Sequence, residues 1–414
     1  MTMKPSRRLI FGRYDYAAFM SFFAYASGSI IVPVALVSLA RELGFSLESG
    51  GTSAGGALPI GRAVAIVAMM LLCGFLAGRW GKRRVLGAAM VLVGAGMGLC
   101  AIAPGYSVLF FSMMVAGVGE GVIEGLATPF VQDLHPSEPG RYINFAHAFW
   151  PVGVLVTVLV SGVLLTLGVS WRLLLGAVGV LSLVPALLLL IPHKGQPYPD
   201  HPEPVHWTTV RDQAVSIMAL PRFWLFFAAL FFAGGGEACL TFWSASYIQL
   251  KFTAAAWAGG VGTACFAAGM ILGRTGWAYW IRQHQLPKLI VFSAMAGTLV
   301  TLSFPLLDHL GVFFGLLFAA GLATAPFWPS VQSYCADRLP TADTTMLFIL
   351  LSCSGVPGCA FFTWLMGYLG TLSGGLGRAF YLVPGCYFVL ALLIGGEWFS
   401  HAGRRKTMPP PRQE

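Results

Sequence analysis

Apolar residues run through this chain in blocks too long for the helices or strands of a water-soluble core. A helix crossing bilayer hydrocarbon needs about 20 mostly apolar residues. Such blocks recur at 15–40, 52–78, 84–103, 106–132, 142–168 and 171–192, then at 222–250, 254–280, 287–306, 309–333, 344–369 and 376–398. The longest polar stretch, from His193 to about Leu220, falls midway and carries Pro197, Pro199, Pro202 and Pro204. The pattern predicts an all-α membrane fold of twelve transmembrane helices in two six-helix bundles, because only internally hydrogen-bonded backbone tolerates lipid. The expected division is 1–192 for the N-terminal bundle, 193–220 for a cytoplasmic linker, and 221–414 for the C-terminal bundle with a short tail. The short basic amino terminus leads into a full-length apolar block without a small-residue cleavage pattern, so that block is expected to stay as a helix.

Charge sharpens this picture. Only 10% of the 414 residues are charged, against roughly 25% in a soluble domain, so there are too few to cover a wetted surface. The net charge of +9 does not form a basic stripe on a polar domain, and a nucleic-acid partner is not expected. Apart from Arg41, Arg62, Arg172, Lys251 and Arg378, all 25 lysines and arginines, Arg274 among them, are assigned to one side of the predicted bilayer. The positive-inside rule makes that side cytoplasmic, so both termini are expected there, in a multi-pass protein of the cell (inner) membrane. The eight cysteines sit in apolar stretches without paired spacings and read as small core hydrophobes; no metal and no cofactor is expected.

A parallel internal repeat is visible at nearly constant offset. Gly78-Arg79 after the second block recurs as Gly273-Arg274 after the eighth, and Pro129-Phe130 recurs as Pro326-Phe327. Two related bundles of this kind imply a passage between them and alternation of access to it.

The stretch Gly74-Phe-Leu-Ala-Gly-Arg-Trp-Gly-Lys-Arg-Arg84 resembles the loop signature of the major facilitator superfamily, with Gly74, Arg79 and Gly81 in register and Arg83 in its basic end. Gly78 stands where that signature has an aspartate, so the family's charge relay through that position is not expected. The glycines are expected to serve a tight turn between closely packed helix ends. A narrower stretch, Glu124-Gly-Leu-Ala-Thr-Pro-Phe-Val131 followed by Asn144-Phe-Ala-His-Ala-Phe-Trp-Pro-Val-Gly153, resembles the fourth and fifth helices of the fucose:proton symporter family. That resemblance implies a proton-linked or sugar-binding role for Glu124 and pathway lining by Asn144 and His147. The symporters carry an aspartate in the first helix where this chain has Ser29-Ile-Ile-Val-Pro33, so coupling through that position is not expected. Asp15, at the entrance of the first span, is expected to meet water or a loop arginine.

Ionisable groups inside apolar blocks cost about 2.5–3.5 kcal/mol each on insertion scales and usually face a cavity. Arg62, Glu120, Glu124 and Glu237 qualify. By helical rise Arg62 lies roughly 15 Å deep and Glu120 and Glu124 roughly 21–27 Å. Arg62 is therefore expected to neutralise Glu120, the nearer in depth. Glu120 and Glu124, four apart, share a helix face, and two such carboxylates resist ionising together. Glu237 follows Gly234-Gly-Gly236, a run expected to loosen the helix beside a cavity, with Trp243 and Tyr247 further on as gate aromatics or as interface-belt residues.

One basic position against three acidic ones favours a neutral or cationic solute over an anion. The expectation is a monomeric secondary transporter, not an enzyme, that moves a small polar solute such as a sugar with a proton as coupled ion. A drug or metabolite exporter is the alternative within the class, and a transporter-like sensor or scaffold the alternative outside it. No nucleophile–base pairing or metal spacing of an enzyme stands out.

Overall fold

The computed structural model describes residues 9–136, 139–196, 198 and 206–407. Among these are twelve helices long and apolar enough to cross a membrane: Arg13–Glu42, Thr52–Trp80, Lys82–Ala101, Tyr106–Leu134, Phe145–Thr166, Trp171–Leu190, Pro221–Lys251, Ala256–Trp277, Gln283–Leu306, Leu310–Arg338, Thr344–Leu372 and Leu376–Ser400. They are called the first to twelfth spans below. Each corresponds to one predicted block, within a few residues. A further helix, Trp207–Met218, lies between the sixth and seventh spans.

The chain forms two compact units. One comprises Met1–Trp207 with Phe242–Ala264, the other Thr208–Thr241 with Cys265–Glu414.

In the first unit the fourth span is seated between the second and third by glycine. Gly117, Gly121 and Gly125 repeat every four residues, so they form one stripe down the helix. A Cβ at Gly117 would fall 2.6 Å from the Arg62 carbonyl oxygen, one at Gly121 would strike the Ile66 backbone, and one at Gly125 would meet Cys73 Sγ. Gly119 faces the other way, onto the Ala89 carbonyl and Val93 of the third span. Small residues at this spacing let helix backbones touch, the usual device where lipid removes the hydrophobic drive to pack. In the second unit the eighth and tenth spans meet in the same way, with Gly269 and Gly273 on one helix and Gly321 on the other against facing backbone.

The signature loop is built from specific contacts. Gly81 closes the second span and opens the third at φ +83°, ψ 141°, a conformation nearly confined to glycine. Its N–H donates to the Ala77 carbonyl at 2.8 Å. Gly74 differs from expectation, because a Cβ there would meet nothing within 4 Å, so close packing is not its reason. Arg79 is exposed, with its guanidinium 5.7 Å from the Trp80 ring. Arg83 is buried and donates to the Leu189 carbonyl at the end of the sixth span, where the last carbonyls lack helical donors. Lys82 pairs with Asp133 at 2.7 Å, and Tyr198 donates to the same carboxylate.

Asp15 is closed off from solvent and, among the described residues, meets no arginine. It is fully buried, with His135 Nε2 at 2.6 Å, Gln196 Nε2 donating at 3.0 Å and the Gly12 N–H donating at 2.8 Å. The sequence around the entrance did not reveal this because His135 and Gln196 come from the ends of distant spans. At the turn after the first span, partial burial opposes the charge of Glu48, but hydrogen bonds from Arg41 and Ser46 outweigh it and its carboxyl is pushed down to about 2. That brace is complete above the ordinary carboxyl value of 4.5 and is lost as pH falls towards 2.

The two signature glycines therefore separate experimentally. Gly81→Ala is expected to lower stability by about 1–3 kcal/mol through its backbone conformation, and Gly74→Ala to leave the melting temperature of detergent-solubilised protein unchanged within error.

Candidate functional site

The first, second, fourth and fifth spans bring a polar cluster together inside the first unit. The glycine stripe of the fourth span holds the Arg62 backbone against it, which places Glu120 beside the Arg62 side chain. Arg62 Nε donates to Glu120 Oε2 at 2.6 Å, and Nη2 donates to Glu120 Oε1. Nη2 also donates to Ser29 Oγ at 3.0 Å. Glu120 is 0% and Arg62 9% exposed, so this is a two-pronged charge-assisted pair sealed from solvent. Gly28 lies beside the pair, where a Cβ would sit in ordinary contact, 3.5 Å from Glu120 Oε1. Ser29 replaces the carboxylate that the resemblance led one to look for. A second carboxylate at this point would leave one arginine facing two anions.

Glu124, one turn further along the same face, is treated differently. It keeps partial exposure, its partner is the Tyr25 hydroxyl, and no cation pairs with it among the described residues. Tyr25 and Ser29 are themselves one turn apart on the first span, so Ser29 stands beside the Arg62–Glu120 pair and Tyr25 beside Glu124. A further turn along the fourth span, Thr128 Oγ1 and His147 Nε2 are 2.8 Å apart, and the His147 ring lies 4.6 Å from that of Phe22. His147 is exposed. Glu124, Thr128 and His147 thus mark one polar track. The Asn144 side chain lies outside the described residues. Tyr25, Thr128 and the glycine stripe are absent from the sequence reading. The four-residue glycine spacing is the signal that would have found the stripe, and nothing in the local sequence marks Tyr25.

Trp243 and Tyr247 are buried, 0% and 2% exposed, so they are not belt residues at a lipid–water interface. Trp243 reaches Gly55 at the start of the second span, where a Cβ would lie 3.4 Å from the indole. Lys251 Nζ stands 5.7 Å from the Tyr247 ring centre.

In the second unit Glu237 is partly exposed. The glycines before it do not loosen their helix, which runs unbroken over Pro221–Lys251. They allow close approach instead: a Cβ would press Gly234 on the Gly355 carbonyl and Trp328, Gly235 on Phe362, and Gly236 on Tyr387. Arg274, counted with the cytoplasmic charges although it falls inside the 254–280 block, lies within the eighth span, with Nη2 3.7 Å from Glu237 Oε1. Glu397 was also missed. It is 7% exposed in the twelfth span, with Arg338 Nε at 3.6 Å and Arg222 Nε at 3.8 Å. Both residues sit near the ends of apolar blocks, where a charge looks like a flank. The tally of one basic and three acidic buried positions is therefore incomplete.

Twelve apolar helices, a glycine-welded core and a few charges gathered on polar tracks define a multi-pass membrane carrier. Residues 17–356 match the sequence pattern of the Major Facilitator Superfamily, and the chain belongs to that family of transporters. Its fold is shared by the nucleoside transporter NupG, with a TM-score of 0.75 at 14% identity over 93% of this chain and 98% of that one. It is shared also by a D-xylose-proton symporter, with a TM-score of 0.72 at 14% identity over 92% of this chain and 96% of that one. An MFS-type efflux transporter, phmH of Phaeosphaeria nodorum, is 36% identical over 102 residues, 24% of this chain. The match spans only 18% of that relative's length. Family and fold are those of transporters, not of enzymes.

Removing one partner of a buried pair strands the other. Glu120→Gln or Arg62→Met alone is expected to destabilise the protein by about 3–5 kcal/mol. Arg62→Met with Glu120→Leu should recover most of that loss, read as melting temperature in detergent.

Proposed function

We propose that this protein is a proton-coupled secondary transporter that moves a small polar solute, a sugar or related metabolite, by alternating access, and that Glu124 carries the proton. The observation that carries the reading is the contrast between the two carboxylates of the fourth span. Glu120 is sealed against Arg62, whereas Glu124 keeps exposure and has a phenol rather than a cation as partner. A carboxylate that is reachable by water and uncompensated by a cation can exchange a proton without leaving a buried charge behind. Thr128 and His147, next along the track, then offer hydrogen bonds to solute or proton.

In this reading Arg62 and Glu120 hold the helices in register and Glu124 does the exchange. The similarity of its fourth- and fifth-span motifs to fucose:proton symporters, and the shared fold of a xylose symporter, support a sugar-like solute. The protein acts as a monomer in the cell's inner membrane, with both termini in the cytoplasm, an orientation supported by the distribution of lysine and arginine. Export in place of uptake is a second reading, favoured by the resemblance of one segment to the phmH efflux transporter.

Reconstituted protein is expected to accumulate solute when a pH gradient is imposed, and Glu124→Gln to abolish gradient-driven accumulation while solute exchange persists. Accumulation that survives intact in Glu124→Gln would refute the coupling role. Reversing the gradient in the same vesicles distinguishes uptake from export.

A further inference from the structure

The place of Arg274 inside the eighth span changes the electrostatics of the second unit. The tenth span is interrupted after Thr324 and resumes at Phe327, and Pro329 stands four residues after Ala325. Proline has no N–H, so the Ala325 carbonyl receives no helical hydrogen bond from that position. Arg274 Nε donates to this oxygen at 3.4 Å. The guanidinium is thus held by its stem-side nitrogen. Its Nη2 is 3.7 Å from Glu237 Oε1, an ion pair beyond hydrogen-bond length.

No hydrogen bond engages either Nη group among the described residues, and the side chain is 35% exposed. A charge in a membrane span with that exposure faces water or a wet cavity rather than acyl chains. Arg62 makes the contrast: its Nε and Nη2 are taken up by Glu120 and Ser29, and the group is sealed. Arg274 leaves both of its Nη groups without a hydrogen bond among the described residues, whereas the Nη2 of Arg62 is shared between Glu120 and Ser29.

Two neighbouring N–H groups in a fork match the two oxygens of a carboxylate. The Glu237 carboxyl beside this cation offers acceptor oxygens, so it complements a donor next to the solute's acid group. A phosphate ester would press a second negative charge on Glu237. A neutral sugar would leave the fork facing hydroxyls, which offer it no second charged acceptor.

We infer that Arg274 and Glu237 form a subsite for a carboxylate flanked by a hydroxyl or amino group, so the solute is a sugar acid, a hydroxy acid or an amino acid rather than a neutral sugar. This deepens the transport reading above and rests on it. It also replaces the expectation, drawn with Arg274 left out of the intramembrane charges, that acidic solutes are disfavoured.

Matched pairs of probes test it on the purified full-length protein by calorimetric binding: D-gluconate against sorbitol, L-lactate against L-lactamide, and L-alanine against L-alaninamide. At least one acid is expected to bind about tenfold or more tightly than its uncharged or amide partner, the strength of a charge-assisted hydrogen bond. Arg274→Gln should erase that preference, and Arg274→Lys, which keeps the charge but loses the fork, should keep only part of it. Glu237→Gln should keep the preference for acids but reduce the discrimination of L-lactate over propionate. The wild-type ratios and the Glu237 variant stand as tests even if the Arg274 variants do not fold. Binding of no acid in the panel, equal binding of acids and partners, or a preference that survives Arg274→Gln would overturn the subsite. Gradient-driven transport of a neutral sugar that depends on Glu124, with no acid preference, would remove this inference and leave the transport reading standing. Absence of any gradient-driven transport would remove that reading itself.

Discussion

Lipid hydrocarbon offers no water to a charge, so an ionised side chain in a span must find a partner within the protein or a wet surface. Each unit answers that constraint in its own way. In the first, Arg62 and Glu120 cancel inside a sealed contact, and the neighbouring carboxylate of Glu124 is left with a hydroxyl and some exposure. In the second, Glu237 and Arg274 stand close without a hydrogen bond, and Glu397 sits between two arginines at similar separations. Tight pairing and loose pairing have different uses. A sealed pair fixes geometry, whereas a loose one keeps donors available to something that arrives later.

Proline and glycine decide where these charges can be placed. Glycine lets backbones touch, and so sets the depth at which the side chains beside it emerge. Proline withholds an N–H, and so releases a carbonyl that a distant side chain can use, as Arg274 uses that of Ala325. The matched Pro129 and Pro326 show how context matters: the fourth span continues through the first, while the tenth span breaks just before the second.

Much of the architecture was legible in the chain because it depends on run length, and the twelve apolar blocks became twelve spans. The Arg62–Glu120 pair was legible because helical rise converts sequence position into depth. Asp15 was not, since its partners come from the end of the fourth span and from the residues after the sixth. Arg274 and Glu397 were passed over because composition alone does not say whether a charge at the end of an apolar run turns inward. The glycines before Glu237 were misread for a related reason. Flexibility is a property of glycine by itself, but close approach depends on what stands opposite, here Phe362 and Tyr387.

The stripe formed by Gly117, Gly121 and Gly125 has a mechanical consequence. Since these positions rest on the backbone at Arg62 and Ile66 and on Cys73, the second and fourth spans cannot slip past one another by a turn without first lifting apart. They behave as one laminated beam, and the buried pair rides on it like a rivet. Whatever bending accompanies a transport cycle in this unit must therefore fall on helices outside that laminate.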